Sequence, residues 1–155
     1  MIDYEKQIKA LKLDVPTLAK PVGLYVPAVQ TGKLVFSSGQ LPLADGGRLA
    51  FKGRVGKEVT VENGERAAKI SLLNCLSAIR WAIGDLNKIK KCVRLNGYVC
   101  SAIGFNDQSK VINAASDLLI QIFGEENGAH SRASIGVLEL PMGAAVEIDL
   151  IIEVK

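Results

Sequence analysis

The sequence predicts an α+β, or mixed α/β, protein with one mixed sheet and two helices packed on one face of it. Two strand-like passages each lead into a helix, which favours helices on a common side of the sheet. The last strand alternates apolar and charged residues, so one of its faces is core. The chain has 155 residues, 48% of them hydrophobic, which favours one compact domain with its own core.

A short amphipathic helix is predicted before the main domain. Residues 3–12 place Ile8 and Leu11 among charged side chains at roughly helical spacing, and Pro16 ends the helix. We therefore divide the chain into an N-terminal helical extension over residues 1–20 and a single domain over residues 21–155.

A β-hairpin is predicted at the start of the domain. Strand-forming residues occupy 22–26, Gly32 opens a turn, and a second strand follows over 34–36. The glycine-rich stretch over 45–56 is either a surface loop or contains a short strand at 48–51, and the pattern leaves both open.

A long helix and a long strand come next. Thr60 is predicted to cap a helix that ends near Gly84, because apolar residues recur with helical spacing between them. A β-branched strand is predicted over 89–103, with the parity of Val93 and Leu95 facing the core.

The remaining elements are one helix and a hairpin. Apolar residues at i, i+3, i+4 and i+7 predict a helix from Asn106 to Gly124. Strands are predicted over 132–138 and 145–154, joined by a turn at 141–143.

Composition argues against several classes of function. The single histidine, His130, cannot supply a His₃ zinc site or an HExxH motif. Three cysteines without CxxC spacing argue against disulfides and zinc clusters, and predict buried reduced thiols. Neither GxxxxGK[ST] nor GxGxxG occurs, and a net charge of +3 is too small to indicate a nucleic-acid surface.

The N-terminus does not resemble a targeting segment. Asp3, Glu5 and Lys6 interrupt its hydrophobicity, and no run of 18 apolar residues occurs in the chain. We therefore expect a soluble cytoplasmic protein without a membrane partner.

The C-terminal hairpin carries the candidate chemistry. Arg132, Ser134 and Gly136 share one parity of a strand, where small neighbours leave space over the guanidinium. The intervening residues are predicted to face the core: Ala133, Ile135 and Val137. Such an arginine can hold a carboxylate through two parallel hydrogen bonds, and Glu147 on the next strand can act as a general base near it. The pattern alone leaves open that both are ordinary surface charges.

Three ordered blocks of sequence resemble a known family. After Arg132, Leu140 and Pro141 follow at eight and nine residues and Glu147 at fifteen, within Val-Glu-Ile. The other two blocks are Gly23-Leu24-Tyr25-Val26 followed by Gly32 and Ser38-Gly39-Gln40, and Val111-Ile112-Asn113. The blocks cover residues 22–154 and are similar to those of the RidA family, also called YjgF/YER057c/UK114, in its longer branch.

The resemblance implies a fold and an activity. The fold would be that of chorismate mutase from bacilli, a mixed sheet with two helices on one face, assembled as a homotrimer with ligand sites between subunits. The activity would be hydrolysis of reactive enamines and imines, such as 2-aminoacrylate and 2-imino acids, to 2-oxo acids and ammonia. That chemistry needs neither a metal nor an organic cofactor, because the substrate is already electrophilic.

The resemblance also implies roles for individual residues. Arg132 would bind the substrate carboxylate, and Glu147 would orient or activate the attacking water. The other implied pocket residues are Tyr25, which would wall the pocket, Gly39 and Ser134, whose backbones would offer hydrogen bonds, and Ser38 and Asn113. His130 precedes Arg132 by two residues and either tunes the surroundings of the guanidinium or has a structural role at the strand end.

Two other functions stay open. The same pocket would serve a non-catalytic module that binds small carboxylate ligands. Endoribonuclease activity, sometimes ascribed to relatives, ranks last, because the chain lacks an aromatic platform and a histidine pair for acid–base catalysis.

Overall fold

The fold was analysed in a computed structural model that describes residues 3–18 and 24–155. The helices are α1 (Tyr4–Ala10), α2 (Val61–Ile83) and α3 (Gln108–Gly128). The strands are β1 (Ala28–Thr31), β2 (Leu34–Ser37), β3 (Leu43–Ala44), β4 (Arg48–Leu49), β5 (Ile89–Cys100), β6 (Ser131–Val137) and β7 (Val146–Val154).

Five of the strands form one mixed sheet. Its order is β1-β2-β7-β5-β6, in which β5 and β6 are parallel and the other neighbours are antiparallel. β3 and β4 pair separately as a small two-stranded ribbon. The glycine-rich stretch over 45–56, for which the sequence allowed either a loop or a short strand, therefore contains a short strand. The predicted fold class, a mixed sheet with two long helices on one face, is confirmed.

The core lies between the sheet and the two long helices. All five apolar residues of the alternating pattern in β7 are buried: Val146, Ile148, Leu150, Ile152 and Val154. They pack with Leu72 and Leu76 of α2 and with Leu119 of α3 in one continuous cluster. The hydrophobic effect on this face therefore fixes which side of the sheet the helices cover.

The caps of α2 agree with the sequence prediction. The Thr60 side chain accepts a hydrogen bond from Asn63 N–H at 3.2 Å, which satisfies one of the unpaired donors of the first turn. Gly84 follows the last turn with φ 83°, a conformation that glycine adopts at little cost.

The predicted helix in residues 3–12 is confirmed as α1, and it joins the main core. The Tyr4 ring packs edge-to-face on Phe123 of α3 with the ring centroids 4.8 Å apart. Tyr4 N–H also donates to Asn87 Oδ1 at 2.7 Å, so α1 is attached through both its side chains and its backbone.

Several boundaries and faces differ from the sequence predictions. The first hairpin strand begins at Ala28, so residues 24–26 are not strand, and Val22 lies outside the described residues. β5 ends at Cys100 rather than at 103. α3 begins at Gln108 and continues for one further turn beyond a kink at Gly124.

The predicted core parity of Val93 is wrong. The pairing of β5 with β7 shifts between Cys92 and Arg94, which leaves Val93 as an extra residue. Such an irregularity reverses the alternation on one side of it. Cys92 is therefore fully buried where the simple alternation placed Val93.

No helix in residues 3–18 or 24–155 combines the length and the apolar character needed to cross a membrane.

Candidate functional site

Arg132 lies in a groove between β6 and α3. Its Nη1 donates to Asn113 Oδ1 at 2.8 Å and to Ser116 Oγ at 3.1 Å, and Nη2 makes a long contact of 3.5 Å with the Ser109 carbonyl. We call Arg132, Asn113, Ser116 and Ser134 the arginine half-site.

The register of β6 turns Arg132 toward the helices. β6 is an edge strand, and Arg132 pairs with Leu95, which is buried beneath α3. Paired residues on neighbouring strands point to the same face, so Arg132 and Ser134 lie on the helix side. The prediction that Ile135 faces the core is wrong, because Ile135 is 48% exposed on the opposite face with Ala133 and Val137.

The Ser134 side chain places a buried hydroxyl in the arginine half-site. Its Oγ is buried and has no hydrogen-bond partner among the described residues. Gly136, the next residue on this face, lies close to α3, because a Cβ there would be 2.8 Å from Gln108 Nε2 and would displace this side chain. The floor of the groove is thus small and polar, as the sequence predicted for this parity.

Ser116 belongs to the half-site although the sequence analysis missed it. Asn113 and Ser116 are three residues apart, which puts both side chains on one face of α3. The sequence does contain a signal for Ser116. It follows Asn113, which the resemblance implies as a pocket residue, at the i, i+3 spacing of one helix face. Ser116 Oγ also lies 2.9 Å from His130 Nε2.

Glu147, at the start of β7, lies beside a bulge that follows β2. Phe36 pairs with Ile151, whereas Gln40 pairs with Ile148, so the segment between them contains one extra residue. This bulge brings Gly39 against the Glu147 side chain, since a Cβ on Gly39 would overlap Glu147 Oε1.

Ser38 and Tyr25 belong to the same region. Ser38 Oγ donates to the Val26 carbonyl at 2.6 Å, and Ser38 N–H donates to the Pro27 carbonyl at 2.8 Å. These bonds tie the segment that carries Tyr25 to the bulge, and the Tyr25 side chain is exposed. We call Glu147, Gly39, Ser38 and Tyr25 the glutamate half-site.

Burial changes the acidity of Glu147. Loss of solvent around its half-buried side chain raises the pKa of Glu147, and the neighbouring carboxylate of Asp149 raises this pKa further. Asp149 accepts hydrogen bonds from Asn96 Nδ2 at 2.8 Å and from Tyr98 Oη at 3.0 Å. These bonds hold the Asp149 carboxylate in place beside Glu147.

The three cysteines are free and buried, as predicted. Burial raises the pKa of the Cys75, Cys92 and Cys100 thiols, that of Cys92 to about 12. A thiol with so high a pKa holds its proton at neutral pH, so these side chains are poor nucleophiles.

The two half-sites do not meet within one chain. Arg132 pairs with Leu95 and Glu147 with Tyr98, so they lie two strands and three residues apart, a Cα separation of about 14 Å. Arg132 points to the helix face, and Glu147, next to buried Ile148, points to the opposite one. The predicted C-terminal hairpin is wrong, because β5 lies between β6 and β7 in the sheet. The expectation that Glu147 approaches the arginine pocket is therefore also wrong for a single chain.

Comparisons with known proteins agree on a family. The family model described as "YjgF/chorismate mutase-like, putative endoribonuclease" matches residues 5–154. Protein TCP17 of Trypanosoma cruzi is 42% identical over 148 residues, which cover 96% of this chain and 92% of that protein.

Two further relatives extend the comparison. A 2-iminobutanoate/2-iminopropanoate deaminase of Dermatophagoides farinae is 27% identical over 143 residues, covering 92% of this chain and 95% of the relative. A crystal structure of a protein of unknown function from Agrobacterium tumefaciens superposes with a TM-score of 0.89 at 40% identity, covering 98% of this chain and 92% of that chain.

Proposed function

Because the chain belongs to the RidA/YjgF family, we propose that it hydrolyses reactive 2-imino acids and their enamine tautomers to 2-oxo acids and ammonia. One relative carries the name of this activity. The observation that supports the proposal most strongly is the placement of Arg132, a cation held in a small polar groove by Asn113 and Ser116.

The arginine half-site suits a carboxylate. Both N–H groups of Nη1 are engaged by protein acceptors, whereas Nε has no acceptor among the described residues. A guanidinium binds a carboxylate best through two parallel bonds from one edge. The Nε–Nη2 edge of Arg132 would supply these two bonds. Because the carboxylate is attached to C2, the reacting carbon, this binding would also fix the position of C2 relative to Arg132.

Glu147 would supply the proton transfers. Its carboxylate would accept a proton from a water that attacks C2 of the imine and would return this proton to the nitrogen, which forms the C–O bond and gives a neutral carbinolamine. The hydroxyl proton of the carbinolamine would then pass through Glu147 to the nitrogen as the C=O bond forms and the C–N bond breaks, which releases ammonia and leaves the 2-oxo acid. The raised pKa of Glu147 makes it a stronger base than an exposed carboxylate and a competent acid in the second step.

We further propose that the chain works as a homotrimer, with the arginine half-site of one subunit facing the glutamate half-site of the next. The placement of the two half-sites on opposite faces of the sheet supports this arrangement, because one small substrate cannot contact both within a chain. A cyclic assembly uses each half-site once per interface, giving three equivalent pockets. We propose a cytoplasmic location, which the three free cysteines support.

The test generates the imine in place. An amino-acid oxidase releases 2-iminopropanoate from alanine, and semicarbazide traps whatever imine remains. We expect the wild-type chain to lower the rate of semicarbazone formation, and Arg132→Ala to restore the rate seen without enzyme. Arg48→Ala is the matched control, because Arg48 lies on β4 and is exposed, outside both half-sites.

Two results would count against the proposal. A semicarbazone rate that wild-type protein leaves unchanged, or an Arg132→Ala variant as active as wild type, would refute it. If calorimetry then showed Arg132-dependent binding of 2-oxobutanoate without turnover, the chain would instead be a binding module for small carboxylates.

A further inference from the structure

His130 is engaged at both ring nitrogens. Nδ1 lies 2.7 Å from the Gly128 carbonyl, and Nε2 lies 2.9 Å from Ser116 Oγ. A carbonyl oxygen only accepts, so Nδ1 carries the proton that makes the first bond. In the neutral ring Nε2 is then an acceptor, and the Ser116 hydroxyl is its donor.

Ser116 connects this imidazole to the guanidinium. Arg132 has only donors, so Ser116 Oγ accepts from Nη1 at 3.1 Å and keeps its own proton for His130. The bonds therefore run in one direction, from Arg132 to Ser116, from Ser116 to His130, and from His130 to the Gly128 carbonyl. We call this series the Arg–Ser–His relay.

The far end of the relay is held by close packing. Gly128 is buried at the end of α3, where a Cβ would lie 2.7 Å from the Leu119 carbonyl oxygen and 2.8 Å from Ile120 Cα. Its carbonyl therefore has a fixed position against the helix. A fixed carbonyl fixes the tautomer of His130, and hence the direction of the Ser116 hydroxyl.

The near end determines which edge of the guanidinium is presented. Ser116 and Asn113 together take both N–H groups of Nη1, and the Ser109 carbonyl of α3 lies 3.5 Å from Nη2. Nε and one N–H group of Nη2 therefore have no acceptor among the described residues. Without the relay the Ser116 hydroxyl would be free to bond to the preceding turn of α3 instead, as serines in helices do. Nη1 would then be held by Asn113 alone.

We propose that His130 and Ser116 are positioning residues that orient Arg132 for side-on binding of a 2-oxo or 2-imino acid carboxylate. This inference rests on the proposed function for its ligand class. The competing role is structural, with His130 merely fastening the start of β6 to α3. That role predicts a loss of thermal stability without a selective effect on affinity for carboxylates.

Kinetics and calorimetry on the full chain separate the two roles. We expect His130→Leu and Ser116→Ala to raise KM for 2-iminobutanoate, and Kd for 2-oxobutanoate, by about tenfold while kcat stays within about twofold. His130→Gln should keep most of the affinity, because its Oε1 can accept from Ser116. Ser109→Ala is the matched control, because Ser109 contacts Arg132 through its carbonyl rather than its hydroxyl.

The single histidine gives a second measurement. With ¹⁵N-labelled histidine, two-bond ¹H–¹⁵N spectra contain one imidazole, and we expect the Nδ1–H tautomer at alkaline pH. Adding 2-oxobutanoate should shift the His130 signals in wild type and much less in Ser116→Ala. The Nε2–H tautomer, or unchanged Kd in both His130→Leu and Ser116→Ala, would overturn the inference.

The outcomes also separate this inference from the proposed function. Wild-type protein that binds 2-oxobutanoate with a response at His130, but turns over no imine, would refute the deaminase and support the relay. Wild-type turnover with an unchanged KM in His130→Leu and in Ser116→Ala would refute the relay alone. Absence of any 2-oxobutanoate binding by wild type would refute both.

Discussion

Glu147 Oε1 lies directly over Gly39, at the point where any other residue would carry its Cβ. The contact joins the bulge after β2 to a side chain at the start of β7. The Glu147 carboxylate can occupy this position only because residue 39 has no side chain.

The first prediction concerns Gly39→Ala. The added methyl displaces the Glu147 carboxylate, which is the free end of a flexible side chain, so we expect kcat for imine hydrolysis to fall at least tenfold with a small change in Tm. The variant should add nothing to the loss in Glu147→Gln, since both act on the same group. Additive losses in the double variant would contradict this explanation.

The second prediction concerns stability and pH. Burial raises the pKa of Glu147 above its ordinary 4.5, so the folded chain holds this proton more tightly than the unfolded chain. The resulting cost of ionising Glu147 is absent at low pH and grows as pH rises through the window above 4.5. Glu147→Gln should therefore have a higher Tm than wild type at about pH 8, and an equal one at about pH 4.

Calorimetric melting across this pH range measures the difference. Glu126→Gln is the matched control, because it makes the same substitution at an exposed position on α3. A Tm advantage of Glu147→Gln that is the same at both pH values would show that the desolvation explanation is incorrect.

The third prediction concerns complementation between subunits. If Arg132 and Glu147 of neighbouring subunits share a pocket, each mixed trimer of Arg132→Ala and Glu147→Gln chains contains one intact pocket of three. Random 1:1 assembly makes three quarters of the trimers mixed, so co-expressed chains should recover about one quarter of wild-type activity. The separately purified variants serve as the blanks. No recovery in isolated mixed trimers would mean that both residues act within one chain.

The fourth prediction concerns the buried hydroxyl of Ser134. Because Ser134 Oγ has no partner among the described residues, Ser134→Ala removes a buried polar atom that costs about 1–3 kcal/mol to desolvate. We expect an unchanged or higher Tm, with activity kept, since the implied ligand contact is the Ser134 backbone. Ser131→Ala is the contrast, because Ser131 Oγ donates to the Val93 carbonyl at 3.0 Å and its loss should lower Tm. A lower Tm in Ser134→Ala would indicate a bond that the structure lacks.

The parts of the fold that could be predicted have a strong local cause. Thr60 and Gly84 mark the ends of α2 through backbone chemistry that acts within a few residues. The five apolar positions of β7 face the core because a strand buried on one face leaves no other register open.

The parts that could not be predicted depend on distant partners. The extra residue at Val93 is visible only in the pairing of β5 with β7. In β6 the polar residues face the helices and the apolar residues face away from them: Ser134 lies on the helix side, and Ile135 is exposed. Hydrophobicity alone therefore predicts the wrong inward face for this edge strand. The spacing of Arg132 and Glu147 along the chain likewise does not show that the two side chains lie on opposite faces of the sheet.

The placement of the two half-sites on opposite faces has a consequence for how activity varies with protein concentration. Under the proposed assembly a lone subunit holds two halves of different pockets and no complete one, so catalysis begins only when chains associate. If monomers and trimers are the only species, the number of working pockets below the association midpoint would rise with about the third power of the chain concentration. Dilution alone would then switch the protein off, with every subunit still folded.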